Sequence, residues 1–131
     1  VTGPGILRPR PSRAAGIAAS IGIGLGVGLL GTALHGHAWF GADAVLPYGA
    51  LGALLLLAAG ALWVGLWARS AWYVVLTGFV VYACVGAFSI QRGAAGLVSS
   101  NLQGVVWLYG IAVVTPLTAL LGAWLLGRAR R

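Results

Sequence analysis

The chain has a single acidic side chain, Asp43, and no Glu, Lys or Met. Without a second carboxylate there is no pair to divide general-acid and general-base work, as glycoside hydrolysis requires. A small four-helix multidrug transporter is the natural comparison by size, but proton-coupled members of that type use a membrane-embedded glutamate, so proton-coupled export is disfavoured. Cys84 stands alone, which excludes an intrachain disulfide and Cys-rich metal spacings and leaves it the reading of a small buried hydrophobe. No Ser-His-Asp or Cys-His arrangement is supported and no Gly-rich phosphate loop follows a strand, so the chain is read as non-enzymatic, with no cofactor. Met is missing even at position 1, as either an alternative start codon or a trimmed chain would leave it.

What is present is apolar. Hydrophobic residues make up 60% of the 131 positions and charged ones 7%, with mean hydropathy +0.99, against about 25% charged in soluble domains. Between Ala14 and Gly127 the only formal charges are Asp43, Arg69 and Arg92, each where an apolar run breaks. An ionisable residue held within the bilayer is the default marker of an ion or proton path, and this chain offers none. Four segments, 14–34, 47–67, 71–90 and 104–126, reach the roughly 20 residues that a helix needs to cross the hydrocarbon. The expected fold is an all-α integral membrane bundle of four transmembrane helices with both termini cytoplasmic. Its organisation is a disordered basic cytoplasmic arm at 1–13, a four-helix domain at 14–127 and a basic tail at 128–131.

The net charge of +7 and pI near 11.3 mark topology instead of nucleic-acid binding. Six of eight Arg lie at the termini (Arg8, Arg10, Arg13; Arg128, Arg130, Arg131) and Arg69 lies in the second turn, as positive-inside counting requires of cytoplasmic segments. Only Arg92 dissents. Aromatic residues give a second, independent argument, because amphipathic rings favour the headgroup level. Trp39, Phe40, Tyr48, Trp107 and Tyr109 fall near outer ends of spans, and Trp63, Trp67, Trp72, Tyr73 and Trp124 near inner ends. The first apolar run exceeds the roughly 7–15 residues of a signal-peptide core and has no clear cleavage site, so it is read as a retained span.

Glycine is the strongest local pattern. Gly22/Gly26 and Gly24/Gly28 give two small-xxx-small rows in the first span, extended by Ala18 and Thr32, and Thr115, Ala119, Ala123 and Gly127 give another in the fourth. In lipid such rows let backbones approach, either within one bundle or between this chain and a homo-oligomeric or larger membrane-protein partner. The short turn at 68–71 predicts an antiparallel hairpin of spans two and three. Pro116 predicts a kink near Ala112, with Thr115 and Thr118 satisfying freed carbonyls. Other polar groups within the spans, Ser20, Thr77, Tyr82 and Ser89, suit either a narrow path or local backbone bonding. In the external connection 91–103, Ser100 and Gln103 have capping-box spacing, which starts helix four near Asn101. Gln91, Arg92, Ser99, Ser100, Asn101 and Gln103 are the candidate external recognition surface.

His35, Gly36 and His37 with Asp43 are the one constellation with metal-ligand chemistry, two imidazoles and a carboxylate within nine residues. Polar residues at a water interface account for them equally, so they stay candidates and no metal is assigned; pH sensing by histidine is a further reading.

The stretch Gln91-Arg92-Gly93-Ala94-Ala95-Gly96-Leu97-Val98-Ser99-Ser100-Asn101-Leu102-Gln103-Gly104-Val105-Val106-Trp107-Leu108-Tyr109-Gly110, joined to the Gly-rich first span and Arg-rich C-terminal end, resembles a family of small actinobacterial four-helix membrane proteins of unknown function. Members often carry an acidic residue after the glycine of this connection, where this chain reads Gly93-Ala94-Ala95, so no role of that acid carries over. The resemblance implies four spans in a bacterial plasma membrane and assigns no activity. Together these readings point to a structural or accessory subunit embedded in the lipid bilayer and associating through Gly/Ala helix faces. The competing expectation is a small oligomeric transporter or channel for a neutral solute.

Overall fold

A computed structural model of the chain describes residues 9–90 and 101–130. It is a bundle of four helices, α1 (Arg13–Leu34), α2 (Tyr48–Trp67), α3 (Trp72–Ser89) and α4 (Leu102–Arg128), with a two-stranded antiparallel ribbon, β1 (Trp39–Phe40) and β2 (Val45–Leu46), in the first connection. All four helices are long and apolar enough to cross a membrane. The chain is a multi-pass membrane protein. Helices are the form such runs must take in hydrocarbon, where no water satisfies a free N–H or C=O and the helix closes every bond within one segment.

Local chemistry sets where the helices begin and end. Ser12 caps α1, its Oγ accepting from the Ala15 amide at 3.1 Å, and Pro47 precedes α2. Asn101 caps α4, its Oδ1 accepting from the Gly104 amide at 2.9 Å. The cap is therefore one residue beyond the expected Ser100, which lies outside the described residues. Gln103 is buried, at 4% exposed, and the Ser100 backbone that its amide was expected to reach lies outside the described residues. Of the segment read as an arm, residues 1–8 lie outside the described residues, Arg10 Nε donates to the Ala68 carbonyl at 3.3 Å, and Arg13 opens α1.

Between α2 and α3 the chain reverses in four residues. The Arg69 amide donates to Leu66 O at 3.1 Å and the Ser70 amide to Gly65 O at 2.9 Å, closing a Schellman motif with Arg69 at φ 54°. That left-handed position is where helices usually place glycine.

Helix α1 packs on α2 and α3, α4 packs on the same two, and α2 and α3 touch each other, with Gly65 against Val74 near their turn. The core lies along buried rows at helical spacing: Ala50, Ala53, Leu57, Ala61 and Val64 on α2, and Val74, Thr77, Val81 and Val85 on α3. Trp107 and Ile111 of α4 fill the space between them. Four crossings bring Arg10, Arg69 and Arg130 to one end of the bundle; the ribbon and Asp43 occupy the other. Both amphipathic belts are represented by exposed rings, Trp39, Phe40, Tyr48 and Tyr109 at the ribbon end and Trp63, Trp67, Trp72 and Trp124 at the arginine end. Trp107 departs from its expected place in the outer belt. It is completely buried, because its ring packs over Gly31 of α1, where the absent side chain leaves room for an indole.

Candidate functional site

The glycine rows of α1 face different surroundings. A β-carbon on Gly24 would meet Val80 Cβ at 2.7 Å, and one on Gly28 would meet Cys84 Sγ at 2.9 Å, so this row is the α1–α3 seam. Gly16 continues it beneath the Tyr73 ring. Ser20 lies buried in the same row, its hydroxyl donating to Gly16 O at 2.9 Å and reaching across to Tyr73 O at 3.3 Å. Gly22 and Gly26 have nothing within 4 Å of where a β-carbon would stand, and Ala18 one turn earlier is exposed. The outer row, Ala18, Gly22 and Gly26, is a smooth strip on the lipid-facing surface.

On α4 the row divides along its length. Thr115 packs against Gly78 of α3, Ala119 sits at the core edge, Ala123 is exposed and Gly127 is open. The close approach at Gly78 has a cost, because the Thr115 hydroxyl is buried with no hydrogen-bond partner among the described residues. It does not satisfy a carbonyl freed by Pro116, as its position beside the proline had suggested; contact with Gly78 turns it toward α3. The helix itself runs unbroken from Leu102 to Arg128 through Pro116. Beside it lies an open cavity of about 240 Å³ between α3 and α4, lined by Val75, Gly78, Phe79, Tyr82, Ile111, Ala112, Thr115 and Pro116. Apart from the Thr115 and Tyr82 hydroxyls its side chains are apolar.

Two hydroxyls of α3 are bound to backbone, whereas that of Thr32 on α1, like that of Thr115, is buried with no hydrogen-bond partner among the described residues. Thr77 donates to Tyr73 O at 2.8 Å and Ser89 to Val85 O at 2.9 Å, each four residues back along its own helix. An apolar cluster from Val27 to Ile111 fills the centre of the bundle, with Ser20, Thr77, Gln103 and Thr118 also buried among the helices.

At the ribbon end the two histidines finish α1. His35 Nδ1 donates to Thr32 O and His37 Nδ1 to Leu34 O at 3.0 Å, while the His37 carbonyl accepts from the Gly49 amide at 2.9 Å and ties the ribbon to α2. Their Nδ1 atoms thus serve the open carbonyls of the helix end. No group of three His, Cys, Asp or Glu side chains comes together among the described residues, so His35, His37 and Asp43 are not assembled into one cluster. Of the candidate external surface, Asn101 is exposed and Gln103 buried; Gln91, Arg92, Ser99 and Ser100 lie outside the described residues.

Sequence reasoning left Gly16, Ser20, Gly31 and Gly78 out of the packing faces. For the first two a signal existed, since Gly16, Ser20, Gly24 and Gly28 form one uninterrupted every-fourth-residue row. Gly31 and Gly78 have partners on other helices, which spacing within one helix does not reveal. No protein-family model, curated protein or solved structure matches the chain.

Proposed function

We propose that this is a non-enzymatic membrane protein of the bacterial plasma membrane. It acts as a structural or accessory subunit that associates laterally with a second copy or a larger membrane protein, with both chain ends in the cytoplasm. The observation that carries this reading is the outward row of Ala18, Gly22 and Gly26, open beside a core already filled. In lipid no hydrophobic force pulls helices together, so close backbone approach must supply the attraction, and such a strip is where α1 allows it. The gathering of Arg10, Arg69 and Arg130 at one end supports the cytoplasmic assignment of that end, through the bias of Arg toward cytoplasmic segments. The hydrophobic cluster at the bundle centre and the backbone-bound hydroxyls of Ser20, Thr77 and Ser89 favour an association role over passage of solute through one bundle.

Co-purification in mild detergent tests the reading. The wild-type chain should bring down a reproducible copy or partner, and a Gly22→Leu, Gly26→Leu double variant should lose it while remaining folded. An unchanged association in that variant would overturn the contact face. The transporter reading differs in outcome: reconstituted vesicles would then pass a small neutral solute such as glycerol faster than protein-free ones.

A further inference from the structure

The arginine end contains a second built feature. Arg10, Arg69 and Arg130 surround a cavity of about 610 Å³ whose remaining walls include Leu66, Leu125 and Leu126. A contiguous recess of about 300 Å³ shares the three arginines and Leu126, and reaches Ser70, Ala123 and Gly127. These sizes match the roughly 300–1,000 Å³ of small-molecule sites. The three arginines come from three separate parts of the chain: the segment before α1, the α2–α3 turn and the residues after α4.

Two details describe how Arg10 and Arg69 are placed there. Arg10 is fixed to the turn by Nε to Ala68 O at 3.3 Å and Nη2 to Arg69 O at 3.5 Å, which commits two of its five donors. Arg69 occupies the left-handed position of the Schellman motif, at φ 54°, where glycine would be unstrained. Three positively charged side chains line one cavity, a setting that suits an anion. Guanidinium groups match the oxygens of phosphate in paired, charge-assisted hydrogen bonds.

The cavity also lies at headgroup depth. Helix α4 has 27 residues, which at about 1.5 Å per residue exceeds the roughly 30 Å of hydrocarbon, so its last turns emerge among the headgroups. Trp124, half-exposed, has the Arg128 guanidinium 4.2 Å over its ring, and exposed Trp67 and Trp72 flank the turn, as indoles do at that level. We propose that Arg10, Arg69 and Arg130 form a site for the phosphate of an anionic phospholipid headgroup, with Leu66, Leu125 and Leu126 against its glycerol and first acyl carbons. Basic recesses between helices at the cytoplasmic face are suited to such headgroups.

The test uses the full chain in mild detergent, titrated with phosphatidylglycerol and followed by native mass spectrometry. Parallel arms contain phosphatidylcholine, and phosphatidylglycerol with an equal concentration of inorganic phosphate. Phosphatidylglycerol should be retained over phosphatidylcholine and resist phosphate. Arg69→Gly, which keeps the turn by relieving its backbone, and Arg130→Gln should each weaken retention about tenfold, the scale of one hydrogen bond to a charged group. Arg13→Gln removes the same charge outside the cavity and should change it less than about twofold, as an exposed charge does. Equal retention of the two lipids, or an equal loss in Arg13→Gln, would overturn the site. Displacement by inorganic phosphate at equal concentration would overturn the lipid assignment in favour of a free anion.

Discussion

Replacing Gly24 and Gly22 separately by leucine sets the two rows of α1 against each other within a single turn. At Gly24 the new β-carbon would stand 2.7 Å from both Val80 Cβ and Cγ1 and 3.1 Å from the Thr77 carbonyl oxygen. Carbon atoms settle at about 3.5–4.0 Å, so α1 and α3 must separate by about 1 Å before the rest of the leucine is accommodated. Overpacking of this kind costs about 1–3 kcal/mol, with leucine at the upper end, while leaving glycine in a helix interior returns about 0.5–1 kcal/mol. The expected net loss is about 2 kcal/mol. At Gly22 nothing stands within 4 Å, so only the helix-propensity gain of about 0.5–1 kcal/mol remains. The two variants should therefore differ by about 3 kcal/mol, roughly a hundredfold in the unfolding equilibrium. Titration of each purified variant with sodium dodecyl sulfate, followed by tryptophan emission, reads this directly, because Trp107 is buried in the native core. Equal midpoints for Gly22→Leu and Gly24→Leu would falsify the assignment of one row to the interior and the other to the surface.

Two further perturbations test the interior and the cap. Trp107 Nε1 is buried with no acceptor among the described residues, so Trp107→Phe removes that donor as well as ring volume and should change stability by less than about 1.5 kcal/mol, whereas Trp107→Ala should cost about 3–5 kcal/mol in the same titration. Asn101→Ala removes the side-chain acceptor for the Gly104 amide and should cost about 1 kcal/mol. Hydrogen exchange should accelerate in the first turn of α4 and stay unchanged in α1.

The length of the apolar runs revealed the four helices, because the charges fall between runs and leave few places for a turn. It could not sort inside from outside. In a soluble helix polarity separates the faces, but here Leu29, Leu30, Leu55, Phe79 and Leu120 cover the exterior while Gly24, Ala50, Ala53, Ala61 and Thr77 line the interior. Both faces are largely apolar and differ mainly in size, so two glycine rows offset by two residues, each with four-residue spacing, looked equivalent. Trp107 was misplaced for the same reason: an indole near a span end suits the headgroup belt, and only the space above Gly31 draws it into the core. The cap slipped by one residue because Ser100 and Asn101 each have an amide three residues ahead, and the choice depends on how α4 meets the bundle. The two-residue ribbon was too short to carry a strand pattern; Gly41 donating to Ala44 O at 2.9 Å and pairing of Trp39 with Leu46 define it. The convergence of Arg10, Arg69 and Arg130 was legible only as a shared side of the membrane, since their common cavity depends on how the turn and both chain ends fold together.

Lateral contact through the outer face of α1 is the central claim, and site-specific photo-crosslinking in native membranes tests it most directly. A photoreactive side chain at position 22 should give one discrete adduct, while the same group at Leu120, exposed on α4 away from that strip, should give none of comparable yield. Equal or diffuse crosslinking from the two positions would contradict the account.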